Sequence, residues 1–307
     1  MRNKPTFQQL LEVQEHFGLP SPALVEKDWY VVQALTAIIP ADIAPFHLVF
    51  GGGTALGRAH RLIRRMSEDI DLKIVGEREP TRPELRKIRE RVTGALLEAG
   101  FKFDPDNPDH RTSRNSTRYT LYNLPYEPLN RGDGILRPEI KIETAVWPLR
   151  QPAVTLQVSS FIAEAYNRPP ELETIRCVTI TQTAAEKFVA LTRRVAAESG
   201  LAVAARDHTL VRHIYDLHVL REHCDHTEVA VMARGIMTHD AEEFGNQSPA
   251  YRDDCLAETK RAIDALHTDA SYAAQHAQFG RDMVFGEIID YEPALNTLQQ
   301  IASNLPA

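Results

Sequence analysis

The chain has 307 residues, of which 43% are hydrophobic and 25% charged, and its formal net charge is −7 at pH 7. These values predict a globular protein of one large or two moderate domains, and the acidic balance argues against general coating of nucleic acid, although a local basic patch could still hold an RNA end. The three cysteines are scattered, and no apolar run approaches the ~20 residues of a membrane span. We therefore expect a cytoplasmic protein with no membrane partner.

Two helices are predicted before the first strand. Thr6 and Gln9 have the spacing of a capping box, and Gly18 ends the first helix. The second helix is expected from Ala23 to about Ile39. Its segment Glu26-Lys27-Asp28 is interpreted most simply as a solvent-exposed first turn. Residues 1–45 therefore form a helical lead-in.

The most informative stretch follows, VFGGGTALGRAHRLIRRMSEDIDLKIV. It predicts a strand at Phe46–Phe50, a glycine loop at Gly51–Gly53, a short basic helix at Thr54–Arg65, and a second strand that carries Asp69 and Asp71. Residues two apart on a strand point to the same face, so the two carboxylates project together. Such a pair predicts a bound divalent cation, Mg²⁺ or Mn²⁺.

The glycine loop predicts a phosphate site beside this carboxylate pair. Gly51, Gly52 and Gly53 lack Cβ atoms, so their backbone N–H groups can approach an anion closely, and the helix that follows adds a favourable dipole. Each feature is weak when it stands alone, because glycines between a strand and a helix more often form a plain turn. Their combination favours binding of a metal-bound nucleoside triphosphate (NTP).

GGGTAL followed by RMSEDIDL resembles the AbiEii/AbiGii family of toxin nucleotidyltransferases, within the nucleotidyltransferase fold associated with DNA polymerase beta. VEKDWYVVQAL is similar to a Glu-Lys-Asp-aromatic segment of the same family. The resemblance implies an enzyme that transfers a nucleotide from an NTP to an acceptor, plausibly the tRNA 3′ end, with a neighbouring antitoxin as genetic partner. It also implies nucleotide-binding roles, which we assign to Gly51, Gly52, Gly53, Thr54, Arg65, Ser67 and Lys187.

A third carboxylate is expected on a later strand. Arg137 to Val146 alternates, with Ile140 and Ile142 on one face and Glu139, Lys141 and Glu143 on the other. Metal-dependent nucleotidyl transfer needs such an acid to complete a metal site or to deprotonate the acceptor hydroxyl. We choose Glu143 over Glu139; the competing interpretation is an ion pair of Glu143 with Lys141 or an arginine.

The rest of the chain is predicted to be mostly helical. The main sheet is expected to end near residue 152, which gives a catalytic core at 46–152 and a helical domain at 153–307 that contributes to the nucleotide cleft. Thr183 is expected to cap a helix that carries Lys187, and the next helix is expected to contain both Arg206 and Asp216. The resemblance implies that Lys187 contacts nucleotide phosphates and that Asp216 orients the lysine or the nucleotide. His213 stands where the family pattern has an Asp.

Taken together, the sequence predicts an α/β (α+β) nucleotidyltransferase fold with Asp69, Asp71, Glu143, Lys187 and Asp216 as the catalytic set. Asp69, Asp71 and Glu143 would hold the metal. Three rivals remain: nucleotidyl transfer to a protein side chain or small molecule, a non-catalytic nucleotide-binding protein, and a dinucleotide-binding oxidoreductase suggested by Gly51-x-Gly53 with an acid about 20 residues later. Arg58, Arg64 and Arg65 are further candidates to meet the triphosphate or an RNA end.

Overall fold

The computed structural model describes residues 4–129, 136–243, 245 and 248–306. The chain forms two compact units, one of residues 1–61 and 65–178, the other of residues 62–64 and 179–307. The sequence also predicts a turn-rich stretch at residues 125–134, and part of it lies outside the described residues. The assignment of a lead-in, a catalytic core and a C-terminal domain stays a prediction.

The first unit begins with two helices, α1 (Phe7–Phe17) and α2 (Pro22–Ile38). The predicted capping box of α1 is confirmed, because the Thr6 side chain accepts from the Gln9 N–H while the Gln9 side chain accepts from the Thr6 N–H. Gly18 ends α1 in the left-handed region, with φ 63°. Helix α2 packs against α1 and against the sheet, so most of its length is buried.

A mixed sheet forms the centre of the first unit. Its strands are β1 (His47–Gly51), β2 (Asp69–Val75), β3 (Arg111–Arg114), β4 (Tyr119–Pro125), β5 (Glu139–Val146), β6 (Val154–Val158) and β7 (Leu172–Cys177). Their spatial order is β3-β4-β5-β2-β1-β7-β6. The β2–β5 and β1–β7 pairs are parallel and the other pairs antiparallel. This mixed sheet with its helices confirms the predicted α/β class.

The alternation of the central strands separates an apolar face from a polar one. Ile70, Leu72 and Ile74 of β2 are buried, and Ile140 and Ile142 of β5 lie on the same face. Asp69 and Asp71 point the other way and are half-buried. Helix α2 contacts both strands. The polar face therefore carries the predicted acids.

Two predicted boundaries in this unit are wrong. The helix expected at Thr54–Arg65 is shorter, since α3 spans Gly52–Arg58 and the chain then turns through Arg61, which has φ 58°. The His60 ring also bonds the Val178 carbonyl, at 2.9 Å, and this fixes the turn. The sheet does not end near residue 152, because β6 and β7 continue it and β7 pairs with β1. Helices α4 (Arg82–Glu98) and α5 (Phe161–Ala165) complete the unit.

The second unit consists of helices, as predicted. They are α6 (Ile180–Ala197), α7 (Arg212–Leu220), α8 (His226–Glu243), α9 (Pro249–Asp253), α10 (Cys255–Thr268), α11 (Ala270–Met283) and α12 (Tyr291–Ser303). Helix α6 is central, with contacts to α7, α8, α9 and α10. None of the helices in the described part of the chain is long and apolar enough to cross a membrane.

The starts of α6 and α7 differ from the predictions. Thr179, not Thr183, caps α6, and its side chain accepts from the Gln182 N–H at 3.2 Å. The β-branched run before Thr183 resembles a strand, but its residues already form the first helical turn. Arg206 precedes α7, because Asp207 accepts from the Thr209 N–H at 2.8 Å and holds a turn there.

The Glu26-Lys27-Asp28 segment is buried, so its interpretation as a solvent-exposed turn is wrong. The three residues are 1%, 2% and 5% exposed. Glu26 accepts from the Leu129 N–H at 3.0 Å, and Lys27 donates to the Arg137 carbonyl at 2.8 Å. Asp28 accepts from the Phe161 N–H at 2.7 Å. Each charged side chain thus holds a different segment against α2.

Asp28 also lies against a buried cation. Its Oδ1 is 3.4 Å from Nε of Arg58, whose guanidinium stacks on the Phe161 ring at 3.8 Å from the ring centroid. Burial outweighs the attraction of Arg58 and the Phe161 hydrogen bond, and raises the pKa of Asp28 to about 6. Arg58 therefore has a structural partner, in contrast to the role of meeting RNA or triphosphate considered for it.

We expect Asp28→Ala to lower the free energy of unfolding by about 3 kcal/mol, because it leaves the buried Arg58 guanidinium without this carboxylate. Asp106→Ala is the matched control. The Asp106 side chain is 98% exposed, so its removal should change stability by less than about 0.5 kcal/mol. Urea denaturation monitored by circular dichroism measures both, and equal midpoints for the two variants would contradict a structural role for Asp28.

Candidate functional site: glycine loop, acidic strands and a buried lysine

The three glycines predicted as a loop form a direct strand-to-helix junction instead, because Gly51 ends β1 and Gly52 and Gly53 open α3. This junction, still called the glycine loop below, lies directly against the acidic strand. Gly51 of β1 is the register partner of Asp71 on β2. Gly52 has φ +71°, and a Cβ atom there would overlap the Asp71 carboxylate. A Cβ on Gly53 would be 2.6 Å from Ser67 Oγ and 2.8 Å from Arg65 Nη2. Position 52 therefore favours glycine for backbone conformation and for space, and a larger residue at 53 would displace the Ser67 and Arg65 side chains.

Thr54 joins the loop to the start of β2. Its hydroxyl donates to the Asp69 carbonyl at 2.5 Å and lies 3.1 Å from Ser67 Oγ. Thr54 and Arg65 are both buried, and Arg65 donates to the Met66 carbonyl at 2.7 Å. These contacts fix the backbone on both sides of the loop. The nucleotide-binding roles assigned to Gly51, Gly52, Gly53, Thr54, Arg65 and Ser67 stay predictions.

The three predicted acids lie on paired strands. Parallel pairing of β2 with β5 places Asp71 opposite Glu143 and Asp69 opposite Lys141. These four residues share the polar face, because the residues between them on each strand are buried. Glu139 is at the first position of β5, before the register of Asp69. The register therefore favours Glu143 over Glu139 as the third acid.

Lys141 lies among these acids and pairs with Glu143, which is the ion pair that the competing interpretation predicted. Its Nζ is 2.5 Å from Glu143 Oε1 and 3.9 Å from Asp69 Oδ2. Burial lowers the pKa of Lys141, but the hydrogen bond to Glu143 and the charges of Asp69, Glu143 and Asp71 outweigh it, so the pKa is raised overall. The lysine is thus a charged ammonium at neutral pH that balances part of the acidic face.

Tyr119 belongs to the same cluster, and the sequence analysis missed it. The β4–β5 register places Leu121 opposite Glu143 and Tyr119 opposite Ala145, and the Tyr119 hydroxyl hydrogen-bonds Glu143. Burial and then the negative charge of Glu143 raise the pKa of Tyr119, so the phenol stays neutral and donates. Only the strand pairing reveals this contact, because Tyr119 lies in an otherwise ordinary alternating strand.

Glu68, next to Asp69, is held by α2. Its Oε2 lies 2.5 Å from Nζ of the buried Lys27. The Glu-Lys-Asp segment is therefore connected to the start of the acidic strand, and this gives it a positioning role that its sequence did not reveal.

The donor chemistry of this face fits a divalent cation. Asp69, Asp71 and Glu143 offer carboxylate oxygens, the ligands that Mg²⁺ and Mn²⁺ prefer. Within the described ranges, however, no group of three or more His, Cys, Asp or Glu side chains is close enough to ligate one ion. Lys141 lies among these ligands, with its Nζ 2.5 Å from Glu143 Oε1 and 3.9 Å from Asp69 Oδ2. The polar face thus offers suitable ligands, but their side chains are not arranged around one ion position.

The second unit contains the predicted lysine–aspartate pair. Lys187 of α6 and Asp216 of α7 are buried, with Nζ 2.7 Å from Oδ2. Lys187 is therefore not on a solvent-exposed flank of its helix. His213, one helical turn before Asp216, is also buried. The structure confirms the pairing of the two helices, while the roles of Lys187 and Asp216 toward a nucleotide stay predictions.

The dinucleotide-binding alternative is wrong. That fold needs a parallel β-α-β unit after the glycine loop, with the acid on the second strand. Here β1 and β2, which flank α3, are antiparallel.

A model of the family described as "Nucleotidyl transferase AbiEii toxin, Type IV TA system" matches residues 33–300. The chain belongs to the AbiEii nucleotidyltransferase toxin family. It is therefore a nucleotidyltransferase toxin of a type IV toxin–antitoxin system, and such a system implies an antitoxin partner. Both acidic strands, the glycine loop and the Lys187–Asp216 pair lie within the matched residues.

Among solved structures, the chain is similar to MenT4, the nucleotidyltransferase toxin Rv2826c from Mycobacterium tuberculosis H37Rv. The two are 20% identical with a TM-score of 0.48, and the match covers 76% of this chain and 72% of MenT4. No curated protein matches by sequence.

Gly52→Ala should destabilise the protein by about 1–2 kcal/mol, because alanine is strained at positive φ and its Cβ would displace the Asp71 carboxylate. The control is Gly94→Ala, within α4, where an added Cβ meets nothing within 4 Å. Alanine there should stabilise by up to about 1 kcal/mol through helix propensity. Thermal unfolding midpoints should therefore move in opposite directions, and a neutral Gly52→Ala would contradict the loop geometry.

Lys187→Met should lower the free energy of unfolding by about 3–5 kcal/mol, since it leaves the buried Asp216 carboxylate without this ammonium. Adding Asp216→Asn should recover part of that loss. Arg118→Met, which breaks an exposed pair with Glu79, should change stability by less than about 1 kcal/mol. Urea denaturation of the wild type and these three variants checks this, and a Lys187→Met loss that Asp216→Asn does not reduce would contradict a coupled pair.

Proposed function

We propose that the chain transfers a nucleoside monophosphate from an NTP to an acceptor hydroxyl, with the tRNA 3′ end as acceptor and pyrophosphate as the other product. The family supports nucleotidyl transfer and a toxin role. The single observation that carries the site is the β2–β5 register, which aligns Asp69, Asp71 and Glu143 on one face beside the glycine loop.

Asp69, Asp71 and Glu143 are the residues that would hold Mg²⁺ or Mn²⁺. Such an ion, when bound, neutralises charge on the triphosphate and stabilises the departing pyrophosphate. The backbone N–H groups at Gly51–Gly53 would approach phosphate oxygens, because glycine carries no Cβ atom to shield them. Lys187 is proposed to bind nucleotide phosphates, as the family resemblance implies, and Asp216 to fix its ammonium.

Glu143 is the group proposed to accept the proton of the acceptor hydroxyl. The hydroxyl oxygen then forms a bond to the α-phosphorus, and the bond from that phosphorus to the pyrophosphate oxygen breaks. Tyr119 donates to Glu143. This hydrogen bond fixes the carboxylate, as a general base must be fixed to reach its proton.

The test uses purified protein with Mg²⁺ or Mn²⁺, total RNA and cell protein, and each NTP labelled with ³²P at the α position. We expect label in the tRNA band of a denaturing gel. The same NTP labelled at the γ position should give none, because that phosphate leaves in pyrophosphate. Periodate oxidation of the tRNA 3′ diol should abolish labelling.

Asp69→Asn should reduce labelling by at least roughly 10²-fold, the scale found when one electrostatic group is removed from an active site. Asp106→Asn, at an exposed loop position, is the control and should label normally. Label in a protein band or in a small molecule would show that the acceptor is a protein side chain or that molecule, and not tRNA. NTP binding without label in any fraction would favour the non-catalytic nucleotide-binding alternative.

A further inference from the structure

Lys141 stands at the centre of the acidic face. In the sheet it lies between Asp69 of β2 and Asn123 of β4, its register partners on either side. Its ammonium contacts Glu143 at 2.5 Å and Asp69 at 3.9 Å, and the side chain is only partly exposed. Two of the three proposed metal ligands therefore already have a cationic neighbour that belongs to the chain.

An ammonium and a divalent ion compete for the same carboxylates. Side chains that share one face of adjacent strands lie close together, and like charges in that arrangement repel. Lys141 relieves this repulsion with one positive charge, and a metal ion would relieve it with two. A lysine has a long flexible stem and no fixed geometry, so its ammonium can leave while the strand stays in place.

We propose that the Lys141 ammonium competes with a divalent cation for Asp69 and Glu143, and that it must swing away before the cation can bind these two carboxylates. This inference rests on the proposed function, because it concerns the metal site of that reaction. It makes Lys141 a positioning residue that weakens metal binding.

The test measures Mn²⁺ binding directly, without turnover. Free Mn²⁺ is followed by electron paramagnetic resonance during titration of wild type, Lys141→Met and Lys141→Arg. Lys141→Met removes the charge and keeps much of the side-chain volume. The apparent Kd for Mn²⁺ should therefore fall roughly tenfold or more, because a unit charge about 4 Å from a partly buried site strongly repels a bound cation. Lys141→Arg keeps the charge and should stay within about twofold of wild type.

Two further variants define the site. Lys87→Met, at an exposed position of α4, makes the same substitution away from the acidic face and should leave the Kd unchanged. Adding Asp69→Asn to Lys141→Met should abolish the gain, which assigns the bound ion to this face. Far-ultraviolet circular dichroism of each variant verifies that the fold is kept.

Two outcomes overturn the inference while the proposed function stands: wild type binds Mn²⁺ and Lys141→Met binds it equally, or Lys141→Met binds it more weakly. The second would make Lys141 an organiser of the ligands. Absence of Mn²⁺ binding in wild type and in Lys141→Met would overturn the inference together with the metal site itself. Nucleotide labelling by the wild type, measured separately, then decides whether the transferase proposal survives.

Discussion

The parallel pairing of β2 with β5 is the constraint on which the candidate site depends. One hydrogen-bonded register places Asp71 beside Glu143 and Asp69 beside Lys141. A shift of one residue would turn every one of these side chains to the apolar face, so the buried isoleucines of the two strands also fix the positions of the acids. Packing on one side of the sheet therefore maintains the charged arrangement on the other.

The charged segment of α2 extends this constraint beyond the sheet. Glu26, Lys27 and Asp28 lie in a helix that packs against β2 and β5, yet each reaches a separate loop or helix. Burial of three charged groups is unfavourable unless each finds a partner, and here each does. The Lys27–Glu68 contact brings the residue before Asp69 into the same network. Helix α2 thus supports the acidic strand both by packing and by this ion pair.

Much of this arrangement could be predicted from local pattern. The alternation of DIDLKIV predicted the β2 strand and the shared face of Asp69 and Asp71, and that of EIKIETAV predicted β5 with Glu143 opposite the buried isoleucines. The wrong predictions concern segments whose structure depends on partners elsewhere in the chain. Glu26-Lys27-Asp28 resembles an exposed helix start because charge usually indicates solvent, and only the positions of Arg137 and Phe161 show the partners that make burial possible. Likewise, the β-branched run before Thr183 resembled a strand, but it continues into α6.

Spacing within short segments and residue chemistry were enough to identify the family, the three glycines, the acidic pair and the helical character of the second half. The tertiary structure decided which strands are neighbours. It showed that the sheet continues to β7, that Tyr119 and Lys141 meet Glu143, and that Gly52 faces Asp71. The physical reason is that pairing between distant strands is fixed by the packing of the whole unit, and no local pattern encodes a register between segments that are far apart in the chain.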